Sequence, residues 1–226
     1  FPCFTGTGKP GNTGKYGFAI TLMYLASKSP QRKALLESLG LDFEVVLPDY
    51  SEEDLAGLLP AELVERHSRG KAYSILSQVE PLAADRPILG VDTIVVIHGQ
   101  ITGKAKNEEE AFDLINRMSG KTHMVYSGLT LLWAGGGPGE RQEETSHAVT
   151  EVRFCRIPES EVELYIQSGE WRDRAGAYAI QGRASAFVEE IRGDYTNVVG
   201  LPVPLLTGML RRKGQWPPSG WAAPIT

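Results

Sequence analysis

The sequence predicts one α/β domain around a mixed sheet, and three observations carry that prediction. From residue 20 onward, strand-like and helix-like apolar patterns alternate along the chain. They do so without a strict βαβ period, which speaks against an all-parallel sheet. The length of 226 residues suits one large domain or two small ones and allows a substantial core.

The elements follow in order. Residues 1–19, FPCFTGTGKPGNTGKYGFA, are glycine-rich without a hydrophobic period and are expected to form a disordered tail. Met23 stands directly before the first motif, so residues 1–22 are expected to be appended or upstream-translated sequence. The GTGKPGNTGK inside them imitates a P-loop but has Lys9 where glycine is required and Tyr16 where serine or threonine is required. A strand over 20–26 leads into a helix over 30–39, which Gly40 stops. A strand over 43–47 precedes a helix over 60–79 whose Leu63, Val64, Ser68, Ala72, Ile75, Leu76 and Val79 share one stripe. PILGVDTIVVIHGQI reads as a hairpin turning at His98-Gly99.

A helix opens in the acidic run Glu108-Glu109-Glu110, matching a positive helix start, and stops at Ser119-Gly120. Long strands over 122–134 and 142–155 flank GGGPGE, and PESEVELYIQSG is a helix with Pro158 in its first turn. Short strands are expected around 177–181 and 185–191, a closing helix near 202–213, and a loose tail over 214–226. No internal repeat is visible.

Composition narrows the class. The chain is 42% hydrophobic and 23% charged, as in soluble globular proteins. No apolar run reaches the roughly 18 residues of a membrane span, and no signal-peptide pattern is recognised. A net charge of -5 argues against general nucleic-acid binding, while a small anionic substrate stays compatible with local basic groups. Cys3 and Cys155 form no C-x-x-C pair, which fits a reducing, cytoplasmic setting.

Two stretches carry chemistry. In LASKSPQR, Ser29 is a good N-cap and Pro30 suits the first helical position. The unpaired N–H groups of the helix start, with the helix dipole, make an anion site. Ser27 and Ser29 add hydroxyl donors, and Arg32 offers a bidentate fork to a phosphate. The other reading of this corner is a plain helix cap with a solvated arginine. In PILGVDTIVVI, alternation puts Asp92 on the face of Ile88, Ile94 and Val96. A carboxylate there is costly unless paired, bound to metal or used in chemistry. Glu52 and Glu53 are candidate divalent-metal ligands or an acidic surface loop, and Lys71 and Lys104 are candidate phosphate contacts or solvated lysines. Gln181, ending AGAYAIQG, can both donate and accept, as reading a base edge requires. No G-x-S-x-G elbow appears, and His67, His98, His123 and His147 lack H-E-x-x-H spacing, which speaks against a serine hydrolase and a zinc site.

Taken in order, LASKSPQRKALLESLG, PDYSEE, GVDTIV, ITGK, MSGKTH followed by YSG, RAGAYAIQG and GDYTNVVGLP resemble the Maf family of nucleoside triphosphate pyrophosphatases over roughly residues 23–213. The resemblance implies an inosine-triphosphatase-like fold with a mostly antiparallel central sheet, flanking helices and a deep active-site cleft. It implies Asp92 as general base, and Ser27, Ser29, Arg32, Glu52, Lys71 and Lys104 at positions holding triphosphate or metal. Gln31, Thr93 and Gln181 fall at specificity positions, and AGAYAIQG is similar to the branch acting on dTTP and UTP. Mg²⁺ or Mn²⁺ on Glu52 with Asp92, a homodimer and a link to arrest of septum formation are further implications.

Three residues depart from the family pattern. Gln31 replaces an arginine, Ala105 a proline and Arg174 a lysine. The alternatives are a non-catalytic nucleotide-binding regulator of septum formation, or the same chemistry on a modified nucleotide such as 7-methyl-GTP.

Overall fold

The computed structural model describes residues 22–52, 57–79, 86–134, 140–218 and 221. In chain order the elements are β1 (Met23–Ala26), α1 (Pro30–Ser38), β2 (Phe43–Val46), α2 (Pro60–Ser74), α3 (Leu76–Val79), β3 (Ile88–Ile97), β4 (Gln100–Thr102) and α4 (Glu108–Met118). There follow β5 (Thr122–Ala134), β6 (Arg141–Phe154), α5 (Glu159–Gln167), a 3₁₀ turn (Arg183–Phe187), β7 (Val188–Arg192), α6 (Tyr195–Val199) and α7 (Val203–Arg212). The strands form one sheet in the order β2-β1-β3-β5-β6-β7, with β4 also on β3. The β1 pairings with β2 and β3 are parallel. Those of β3 with β4 and β5, of β5 with β6, and of β6 with β7 are antiparallel. The expected mixed, mostly antiparallel sheet is therefore present. Among the described residues no helix is long and apolar enough to cross a membrane.

The pairing pattern opens a gap at the centre of the sheet. β5 runs along one edge of β3 from Ile88 to Val96. On the other edge β1 pairs only with Ile88–Gly90, and β4 only with Val95–Ile97. Among the described residues no strand pairs with residues 91–94 of β3 on that side, and Asp92 and Thr93 lie in the split.

The two faces of β3 bury different layers. Leu89 and Val91 pack with Leu36 of α1 and Leu206, Met209 and Leu210 of α7. Val95 and Ile97 continue that face into a second cluster with α4 and α5. On the opposite face Ile88 packs with Ala72, and Ile94 and Val96 pack with Leu63 and Val64 of α2. Two glycines let α2 approach the sheet: a methyl at Gly90 would fall on the Ser68 carbonyl, and one at Gly128 on the Val64 carbonyl. Backbone carbonyls cannot swing aside as side chains do. Gly90→Ala is expected to lower stability by about 1–3 kcal/mol, read as a lower urea midpoint; an unchanged midpoint would contradict this packing.

Several elements differ from the sequence expectation. The strand expected over 20–26 is described only from Met23. The helix expected over 60–79 closes at Ser74 and restarts at Leu76, with Ile75 as a helical cap between them. Pro158 caps its helix from outside the first turn. No strand forms over 177–181: Gly176 and Ala177 adopt positive φ values of 67° and 59°, which breaks the extended backbone. A 3₁₀ turn precedes β7, and α6 is a helix outside the sequence expectation. The tail expected to be loose is packed at Trp216, which lies against the α1/α7 cluster, and Gln215, whose Oε1 accepts from Trp133 Nε1 at 3.2 Å. The hairpin at His98-Gly99 forms as expected. The P-loop-like stretch, Glu53 and residues 135–139 of the GGGPGE loop lie outside the described residues.

Candidate active site

The strand-to-helix corner folds as the local chemistry dictates. Ser29 caps α1, its Oγ accepting from Arg32 N at 3.4 Å, and Pro30 opens the helix. Ser27 Oγ accepts from Ser29 N at 3.1 Å and from Arg32 Nη1 at 3.0 Å. Arg32 is fixed further by Nε donating to the Gly200 carbonyl at 2.8 Å and Nη2 donating to Thr93 Oγ1 at 3.0 Å. Thr93 Oγ1 also lies 2.9 Å from Ser127 Oγ on β5, its register partner. Burial pulls the Arg32 pKa down, opposed by the charges of Asp92 and Glu52. Gln31 is oriented too, because Ser29 Oγ donates to its Oε1 at 3.1 Å.

Thr93 faces this arginine; its neighbour Asp92 faces α2. There Lys71 Nζ lies 2.6 Å from Asp92 Oδ1 and 2.6 Å from Glu52 Oε1. The Asp92 and Lys71 side chains are only 6% and 9% exposed, and Glu52 is 55% exposed. Asp92 Oδ2 is buried and has no hydrogen-bond partner among the described residues. Glu52 is brought to Lys71 by its own segment: Tyr50 OH lies 3.0 Å from His67 Nδ1, and the Tyr50 ring covers Gly70, where a side chain would collide with it.

Burial pushes the Glu52 carboxyl up, but the charge and hydrogen bond of Lys71, with Lys104 and His67, outweigh it and hold the pKa below its ordinary 4.5. A depressed carboxyl contributes stability that is present above the unfolded value and lost as pH falls through the folded one. Glu52→Gln is therefore expected to remove part of the acid loss below pH 4.5, seen as a smaller drop in urea midpoint between neutral and acid pH. An identical drop in both proteins would contradict it.

The cleft has a volume of about 850 Å³ and is walled by both halves of the split. A bridge between Lys104 and Ala175, both of which line the cleft, sets the loop after β4 against the segment leading to Gln181. Ser27, Ser29, Gln31, Arg32, Glu52 and Lys71 line this one cavity. Asp92, Thr93, Lys104 and Gln181 complete the lining expected from the sequence. One geometry differs from expectation: Lys71 bridges the two carboxylates rather than standing free for a phosphate.

Residues the sequence reading passed over include Tyr50, Ser127 and Gly200. A glycine inside a helix, Gly70, was the available signal for the close approach of Tyr50. Among the described residues no group of three or more His, Cys, Asp or Glu is placed to hold a metal. Two carboxylates flanking one cation, Asp92 and Glu52, still fit a divalent ion that takes its remaining oxygens from phosphate and water.

Fold and cleft together define an α/β protein that gathers a helix start, several cations and a buried carboxylate around one cavity. Residues 22–213 match the family model described as Maf-like protein, and the chain belongs to that family. It is 39% identical over 190 residues to a protein of Pelotomaculum thermopropionicum named dTTP/UTP pyrophosphatase, covering 84% of this chain and 95% of that one. A protein of the same name from Syntrophus aciditrophicus is 41% identical over 198 residues, covering 88% and 93%. A solved Mycobacterium abscessus nucleoside-triphosphatase, dITP/XTP pyrophosphatase, aligns over 85% of this chain and 98% of that one at 15% identity, with a TM-score of 0.38. At that level the likeness says nothing about chemistry.

Proposed function

We propose that the chain hydrolyses dTTP and UTP between the α and β phosphates, giving the nucleoside monophosphate and pyrophosphate. The observation that carries this reading is Asp92 at the wall of the cleft, one oxygen held by Lys71 and the other buried without a partner among the described residues. An ionised oxygen in that state is costly unless a ligand atom completes it. A water admitted to this carboxylate together with the substrate is oriented for attack and gives up its proton there. Its oxygen bonds to the α phosphorus as the bond from that phosphorus to the bridging oxygen breaks, and pyrophosphate leaves with the electron pair.

The remaining groups address charge. Arg32 keeps donors beyond its three fixed contacts, and with the N–H groups of the α1 start it holds phosphate oxygens. Lys104 at the rim adds a cation. Glu52 and Asp92 are the residues that would hold Mg²⁺ or Mn²⁺, which when bound neutralises phosphate charge. The pyrimidine preference rests on the naming of the relatives and on Gln181 in the cleft. The test is pyrophosphate release with Mg²⁺ or Mn²⁺ across dTTP, UTP, CTP, 7-methyl-GTP and purine triphosphates. Preference for dTTP and UTP is expected; release from none of them by folded protein overturns the reading.

A further inference from the structure

We propose that Tyr165 is a positioning residue for base selection, its buried hydroxyl holding the 177–182 segment so that Gln181 faces the cleft. The inference rests on the reading of Gln181 as a base contact. The segment 177–181 carries an apolar pattern suited to a strand but pairs with no strand among the described residues, so its backbone polar groups need other partners. Tyr165, on α5, supplies them: its OH donates to the Ala177 carbonyl at 3.4 Å and accepts from Ala179 N at 3.1 Å. One phenol thus stands in for a neighbouring strand on both sides of Tyr178.

The Tyr178 side chain is turned into the core, where its OH lies 2.9 Å from His123 Nε2 on β5. Its ring meets His123 and Phe154 edge-on at 5.3 and 5.1 Å. Beyond Gln181, Gly182 N donates to the Ala179 carbonyl at 2.9 Å and the Glu170 carboxylate accepts from Arg183 N at 2.8 Å. Gln181 is therefore exposed between two anchored points, and among the described residues its amide has no hydrogen-bond partner. Burial pushes Tyr165 up to about 12, Tyr178 higher still, and His123 down to about 4. Both hydroxyls stay protonated and the imidazole neutral across the pH range of an assay.

The test compares wild type, Tyr165→Phe and Phe187→Leu. Phe187 packs edge-on against Tyr165 at 5.4 Å without touching the loop's hydrogen bonds, so it reports general loosening of the same core. Two readouts are taken: kcat and KM for UTP and CTP, and calorimetric affinity for their non-hydrolysable α,β-methylene analogues. Tyr165→Phe is expected to lower the UTP-to-CTP selectivity about tenfold, through KM and analogue affinity, with kcat changed less than twofold. Phe187→Leu is expected to lower the melting temperature and leave the ratio unchanged. An unchanged ratio in Tyr165→Phe, an equal fall in Phe187→Leu, or a wild type that does not distinguish the two analogues overturns the proposal. Absence of turnover in wild type overturns the hydrolytic reading alone, because the analogue affinities still report on Tyr165.

Discussion

Asp92→Asn is expected to lower pyrophosphate release from dTTP by about 10²–10⁴-fold, the range a positioned general base contributes, with the fold intact. The substitution is nearly isosteric, and the amide oxygen still accepts from Lys71, which keeps Glu52 as its ionic partner. What disappears is the oxygen that takes the proton, Oδ2, together with the negative charge on the cleft wall. Stopped turnover at an unchanged melting temperature fits that account. Turnover near the wild-type rate removes Asp92 as the base, and a collapsed melting temperature assigns it a structural role instead.

Lys71→Met is expected to have the largest effect on stability, a loss of about 3–5 kcal/mol, because it strands a buried carboxylate without its counter-charge. Asp92 is the partner that suffers. Glu52, half-exposed, turns to water and adds little. Adding Asp92→Asn to Lys71→Met is expected to recover much of the loss, since no lone buried charge remains. Urea denaturation of the two single variants and the double variant checks this. A double variant no more stable than Lys71→Met would show that the pair is not the source of the cost. All three are expected to lose most of their turnover.

How far the sequence could be read depended on whether the cause was local. The Ser27–Arg32 corner was legible because capping, proline placement and dipole act within one turn of helix. Asp92 was legible because strand alternation placed a charge on an apolar face. Lys71 carries the same signal: it lies on the buried stripe of α2 with Val64, Ser68 and Ala72. Its partners come from β3 and from the segment before α2, and no spacing within the helix points to them. The break at Ile75 has no glycine or proline to announce it. The strand expected over 177–181 failed because Gly176 and Ala177 turn the backbone and the Tyr165 hydroxyl takes the place of a ladder. α6 was readable after all, since Asp194 caps it and Gly200 stops it.

Hydrolysis of dTTP by the wild-type protein in ¹⁸O-labelled water, with the label located by mass spectrometry, identifies the phosphorus that is attacked. Attack by a water held on Asp92 at the α phosphorus places the label in the nucleoside monophosphate and leaves the pyrophosphate unlabelled. Label in pyrophosphate or in free phosphate would put the attack at another phosphorus and contradict the geometry assigned to Asp92.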